Sequence, residues 1–164
     1  MIWSSFGNYY AQLNELISRV DEVELESFAD LLVEAGDNSN NVLVFGNGGS
    51  AAIASHLAID LTKAASIPAL SFHDPSLLTC FSNDFGFDQW IAKVIESFAR
   101  TNDVCIFISS SGESPNMIFG AHEAVKCGCK VVTLSGFEKN NSLSKIGDLN
   151  FQVLDVPGHT LGHI

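Results

Sequence analysis

Positive charge is scarce in this chain. Its 164 residues carry 8 Lys and Arg against 19 Asp and Glu, a formal net charge of −11. That balance argues against a nucleic-acid backbone or an anionic membrane as partner, since both need a basic face. It leaves a phosphate ligand open, because backbone amides and hydroxyls bind one without a nearby lysine. Long apolar runs are missing too. No stretch reaches membrane-spanning length, and Met1-Ile2-Trp3-Ser4 has neither the basic region nor the apolar core of a secretion signal. The four cysteines, Cys80, Cys105, Cys127 and Cys129, lack zinc-ribbon spacing, and Cys127-x-Cys129 is not the redox C-x-x-C pattern. Cys105 lies inside a strand-like run, where a buried reduced thiol is expected. The expectation is a cytoplasmic, reduced protein. No repeat, low-complexity tract or linker interrupts it.

What is present is apolar and periodic. A hydrophobic content of 46% with 16% charged residues describes a packed globular chain. Its length fits one domain over residues 1–164, burying roughly two thirds of the unfolded surface. So low a charged fraction in a small protein also points to apolar surface covered by another subunit.

The first 36 residues read as two helices. Ile2, Phe6, Tyr9, Leu13, Ile17 and Val20 form one apolar stripe at helical steps. Asp21 caps a second helix, with Glu24 as its capping-box partner, Leu25, Phe28, Leu32 and Ala35 as its apolar face, and Gly36 at its C′ position. Such a pair serves either as an association surface or as a cover for the domain's own sheet. After a polar turn at 37–41 come five short apolar runs, Val42–Phe45, Ala69–Phe72, Val104–Ile108, Val131–Leu134 and Phe151–Leu154. Helix-like stretches at Ser50–Lys63, Phe87–Arg100 and Ser114–Lys126, with a short turn around Ser142–Ile146, alternate with them. That alternation predicts an α/β fold, a parallel sheet with helices on both faces.

In such folds ligands sit at the carboxyl ends of the strands. The first strand is followed by Gly46-Asn47-Gly48-Gly49-Ser50-Ala51, where glycines admit a ligand close to the backbone and a helix begins near Ser50. No Lys-Ser/Thr follows, so it is not a Walker A loop, and its spacing is not the dinucleotide fingerprint. No nucleotide cofactor is expected. After the third strand come Ser109, Ser110, Ser111, Gly112, Glu113, Ser114 and Pro115, four hydroxyls at a helix start with Pro in the first turn. Together the two loops make a neutral phosphate cradle. His56 and Asp60 are four apart, on one face of the helix opened by Ser50. They read either as a functional pair or as a surface i,i+4 pair. His73 and Asp74, a polar pair after the second strand, either border the site or belong to a strand-end turn with Pro75, and Asn83-Asp84-Phe85-Gly86 reads as a turn capping the Phe87–Arg100 helix.

These loops resemble the sugar isomerase (SIS) domain, and within it the sedoheptulose 7-phosphate isomerase (phosphoheptose isomerase) family. The resemblance rests on Gly46–Ala51, His56-x-x-x-Asp60, Ser82-Asn83-Asp84-Phe85-Gly86-Phe87, Ile108–Asn116 and Leu134-Ser135-Gly136, in order over nearly the whole chain. It implies a three-layer sandwich with a five-stranded parallel sheet flanked by helices, preceded by two N-terminal helices. It also implies that Asn47, Gly48, Gly49 and Ser50 line the sugar phosphate, that Ser109, Ser110, Ser111 and Ser114 hold the phosphate, and that Asn83 and Asp84 contact sugar hydroxyls. His56 and Asp60 would ligate one zinc ion per subunit, Asp60 also acting as general base. Family members usually carry Glu at that position, and Asp reaches less far. A homotetramer built through the N-terminal helices, with sites at subunit interfaces, is implied as well.

The reaction implied is aldose–ketose isomerisation through an enediol, converting sedoheptulose 7-phosphate to D-glycero-D-manno-heptose 7-phosphate for surface polysaccharide. The family's C-terminal helix, with a Gln and a His eight residues apart, is expected to be absent here. His159 and His163 have ligand spacing, but Gly158 and Gly162 oppose a helix. The segment Lys63 to Pro68 is shorter than the basic loop of some members. The alternative is a non-catalytic SIS module that binds a sugar phosphate or a protein partner for regulation. A third reading is another isomerase of phosphorylated sugars.

Overall fold

The computed structural model describes residues 2–138 and 140–153, with side chains from residue 6 to residue 152. Leu154, His159, His163 and the region of the family's C-terminal helix lie outside the described residues. Two helices, α1 (Ile2–Ile17) and α2 (Glu22–Asp37), precede β1 (Val42–Gly46), α3 (Gly49–Ala64) and β2 (Ala69–Ser71). Then come α4 (Pro75–Phe85), α5 (Trp90–Phe98), β3 (Val104–Ser109), α6 (Pro115–Lys126), β4 (Lys130–Gly136) and β5 (Leu149–Val153). None of the described helices is long and apolar enough to cross a membrane.

The five strands form one parallel sheet in the order β2-β1-β3-β4-β5. Right-handed crossovers running outward in both directions from its centre place the connecting helices on opposite faces. Strand alternation divides the core accordingly. Leu43, Phe45, Cys105, Phe107 and Val131 face Trp90, Ile91, Val94 and Ile95 of α5 and Met117, Ala121 and Ala124 of α6. Val42, Val44, Val104, Ile106 and Val132 face Leu32 and Ala35 of α2 and Ala54, Ala58 and Leu61 of α3. This is the three-layer sandwich that the resemblance implied. Cys105 is buried and free, as expected. Its contact with Cys129, and then burial, push its thiol well above the usual range.

Four expectations change. The segment read as a strand-end turn starts helix α4: Asp74 accepts from Ser76 and Leu77 N–H as N-cap, and Pro75 occupies the first turn. Asn83 and Asp84 therefore sit in the last turn of α4, closed by Gly86, and not in a turn capping the next helix. That next helix begins at Trp90 instead of Phe87. Gly36 lies inside α2, where it packs on Ile67, and Asn38 is the C-cap, with both its N–H and its amide reaching Glu34 O.

The two N-terminal helices differ in what they cover. Leu32 and Ala35 of α2 are buried and cover the sheet. No described side chain of α1 is buried, and Phe6, Tyr10 and Ile17 are exposed.

Candidate active site

β1 and β3 are neighbours whose connections leave in opposite directions, so a crevice opens at their carboxyl ends, the topological switch point of a 2-1-3-4-5 sheet. Register puts Gly46 opposite Ile108, so both loops emerge at the same level. The turn into α3 is tight enough that a Cβ on Gly46 would sit 2.3 Å from Ser50 O, and only glycine fits. The loops are then tied together. Asn47 Nδ2 donates to Asn116 Oδ1 at 3.0 Å, and Asn116 Nδ2 returns to Asn47 Oδ1 at 2.8 Å. Asn116, on α6, is only 1% exposed. The Asn47 side chain thus joins the loops.

The four loop serines divide their work. Ser109 Oγ accepts from Gly112 N and Ser111 Oγ accepts from Glu113 N, both at 3.2 Å, so these two shape the turn while keeping an O–H to donate. Ser114 is the N-cap of α6 by backbone geometry, yet its hydroxyl bonds no helix amide. Together with the N-terminus of α6, these hydroxyls are donors of the kind that suits an anion without a cation.

The connection between β4 and β5 supports this loop from behind. Gly136 N donates to Ser110 O at 2.9 Å and Leu143 N to Gly112 O at 3.0 Å. Leu143 is itself fully buried in the core. Glu113 accepts twice from Ser142, from N and from Oγ, each at 2.7 Å. Those bonds, with Lys145 contributing, hold its carboxyl below the usual carboxylate range. Asn141, buried, donates to Ser135 Oγ at 2.8 Å and fills the space beside Gly112. Gly112 has φ +64, and a Cβ there would meet Asn141 Oδ1 at 2.0 Å.

His73 holds the other loop. Its Nε2 lies 3.0 Å from Gly46 O, its Nδ1 lies 3.4 Å from Ser55 Oγ on α3, and Ser71 Oγ donates to Ser55 Oγ at 3.2 Å. Nε2 also lies 3.3 Å from Gly46 N, so the ring meets Gly46 in either tautomer, donating to its carbonyl when Nε2 is protonated and accepting from its N–H when it is not. Burial lowers its pKa, against a smaller opposing effect of the Gly46 bond.

His56 and Asp60 point from α3 with Nε2 and Oδ2 3.5 Å apart, and their side chains are 76% and 60% exposed. Ile53, also exposed, shares their helix face. Asn83 Nδ2 donates to Asp84 Oδ1 at 2.9 Å, and Cys80 Sγ lies 3.9 Å from Asp84 Oδ2. No hydrogen bond or ion pair joins either pair to the cradle among the described residues. The described residues also contain no group of three or more His, Cys, Asp or Glu able to hold a metal ion.

Residues 8–136 match the SIS domain family. A phosphoheptose isomerase of Pelobacter propionicus is 39% identical over 160 residues, covering 93% of this chain and 84% of that protein. The chain belongs to the SIS domain family, in its phosphoheptose isomerase branch. Its fold superimposes on a phosphoheptose isomerase from Neisseria gonorrhoeae with a TM-score of 0.82 at 29% identity, over 95% of this chain and 84% of the other. For a phosphoheptose isomerase from Francisella tularensis the TM-score is 0.86 at 25% identity, over 98% and 87% of the two chains.

Within this SIS chain, two site-building features escaped the sequence and a third was half legible. His73, open to reading as a site neighbour or as a turn residue, follows β2 and meets Gly46 at the end of β1. Asn116 stood in a motif without a role, and its partner is 69 residues away. The grip of Ser142 and Leu143 on the serine loop has no local signature, since Glu113 stands 29 residues before Ser142 and, with Gly112, on the β3–α6 connection.

Proposed function

We propose that this chain isomerises sedoheptulose 7-phosphate to D-glycero-D-manno-heptose 7-phosphate. The observation that carries the reading is the pair of loops at the switch point, fastened by the reciprocal Asn47–Asn116 bonds, in a chain whose relatives are phosphoheptose isomerases. Ser109, Ser110, Ser111 and Ser114 hold the phosphate, with Gly48, Gly49 and Ser50 lining its sugar side. In the substrate the phosphate on C7 and the reacting carbons C1 and C2 lie at opposite ends. A base set along α3 lies away from the phosphate loops, on the side such an arrangement requires. From Gly49, His56 lies about 10 Å and Asp60 about 16 Å along the helix axis. Asn83 and Asp84 contact the hydroxyls between.

Asp60 takes a proton from C1 while the C2 carbonyl oxygen takes one up to give the enediol; the O1 hydroxyl then gives up its proton as the carbon-bound proton returns at C2, leaving a hydroxyl on C2 and an aldehyde at C1. His56 orients the carboxylate and donates toward the developing oxygen charge. A zinc ion fits the pair in spacing. Their 3.5 Å separation is near the ~3.3 Å edge that two bonds of about 2 Å make at a tetrahedral metal. It does not fit in number, since a catalytic zinc takes three protein ligands, and the rest would come from outside the described residues. When bound, such an ion polarises the substrate oxygen.

The exposure of His56 and Asp60, beside exposed Ile53, supports a site closed by a second subunit. A cytoplasmic homotetramer assembled through the α1 stripe is the arrangement proposed. The test is to incubate the protein with sedoheptulose 7-phosphate, with and without zinc, and follow heptose 7-phosphate. Turnover supports the reading. Phosphate-sugar binding without turnover in either condition would overturn it in favour of a non-catalytic binding module.

A further inference from the structure

The phosphate cradle contains a carboxylate of its own. Glu113 stands between Gly112 and Ser114, and its backbone N–H is bonded to Ser111 Oγ, so its side chain springs from the middle of the serine loop. A free carboxylate there would oppose a phosphate dianion by direct charge repulsion. It is not free. Both its oxygens are taken by Ser142, one by the backbone N–H and one by the hydroxyl, each at 2.7 Å. Because Glu113 is exposed, no packing restrains it, and these two bonds fix where its charge lies.

The turn that supplies them is rigid. Leu143 is buried in the core, and Asn141 Oδ1 accepts from Ser144 N at 2.9 Å while its amide reaches Ser135 Oγ at 2.8 Å. Leu143 N–H also holds Gly112 O. The turn therefore grips the loop at two consecutive residues, Gly112 through the backbone and Glu113 through the side chain.

We propose that Glu113 and Ser142 form a latch that draws the carboxylate onto the β4–β5 turn and out of the cradle, making Ser142 a positioning residue that sets phosphate affinity. This inference rests on the phosphate reading above. Ser142 touches no reacting atom, and its effect falls on binding instead of on the proton transfer.

The test compares wild type with Ser142→Ala, Ser142→Thr, Glu113→Gln and the Ser142→Ala/Glu113→Gln double variant. Inorganic phosphate binding is measured by calorimetry, and kcat and KM with sedoheptulose 7-phosphate. Ser142→Ala removes the hydroxyl bond and keeps the backbone one, so it should weaken phosphate binding and raise KM about threefold, less than the effect of a fully freed unit charge near a dianion at a protein surface, with kcat little changed. Ser142→Thr keeps the hydroxyl and should resemble wild type. Glu113→Gln should bind phosphate more tightly than wild type, and the double variant should recover most of the affinity lost by Ser142→Ala. A double variant as weak as Ser142→Ala overturns the latch, since the turn then acts by shape alone. Unchanged binding in Ser142→Ala overturns it too. Wild type that neither binds phosphate nor turns over substrate overturns the reading of the cradle itself, and the latch with it.

Discussion

The two ends of the proposed site are built in opposite ways. At the phosphate end, buried strands β1 and β3 deliver two loops that a nearly inaccessible Asn116 fastens, with His73 behind one and the β4–β5 turn behind the other. At the reacting end, His56 and Asp60 stand 76% and 60% exposed on α3, bonded only to each other among the described residues. Phosphate binding needs fixed donors, which one chain's packing provides. Proton abstraction next to a carbonyl needs a site shielded from water, where charge interactions strengthen. On the proposed reading, the phosphate end is held by this chain's own packing, while the pair on α3 stands open for a covering surface.

The sharpest way to separate the two ends is Asp60→Asn. It should lower turnover by about 10²–10⁴-fold while calorimetry finds inorganic phosphate binding unchanged. A parallel loss of both would erase the distinction.

At the other end, Gly112→Ala places a side chain at φ +64 against Asn141 Oδ1. It should cost about 2–4 kcal/mol of stability in denaturant unfolding and remove phosphate binding with it. Asn116→Ala is milder. It leaves the Asn47 amide without its partner and should cost about 1–3 kcal/mol, with weaker phosphate binding in the same preparation. Full-affinity binding by either variant would show that the loops do not depend on their fastening.

The smallest effect is a pH slope. Burial lowers the His73 pKa in the folded state. Below the unfolded value of about 6.5 the unfolded chain therefore takes up the proton first. Stability contributed by His73 is present above that pH and is lost as pH falls toward the folded pKa. Thermal midpoints of wild type should fall more steeply than those of His73→Gln between neutral pH and that window. Parallel slopes would remove His73 as the group responsible.

Much of this was legible because it was local. An apolar run ending in Gly46-Asn47-Gly48-Gly49 announces a strand and an anion-binding turn, and Ile108 running into four serines and Pro115 announces the second. The spacing of His56 and Asp60 is likewise printed in the chain, though their exposure is not. Helix α4 was missed although Asp74-Pro75 and Gly86 mark its ends and Leu77, Phe81 and Phe85 recur along it. Its interior is rich in Ser, Thr and Asn, weak helix formers, and no residue of it is buried, so tertiary packing adds little to the signal. The polar fastenings were illegible for another reason. Asn47 with Asn116, His73 with Gly46, and Glu113 with Ser142 each join segments 27 to 69 residues apart, and only sheet register brings them together. The α1 stripe was readable as apolar, but what it meets lies beyond a single chain's sequence.

The central claim is that the cradle holds the phosphate while the pair on α3 moves a proton at the far end of the sugar. It is tested most directly by incubating the protein with sedoheptulose 7-phosphate in D₂O and following carbon and phosphorus resonances by NMR. The account predicts that aldose 7-phosphate appears with deuterium at C2 in at least part of the product, because a proton held on a carboxylate is exchangeable with solvent while the enediol persists. A shifted phosphorus resonance on binding, with no aldose and no deuterium in the sugar, would contradict it.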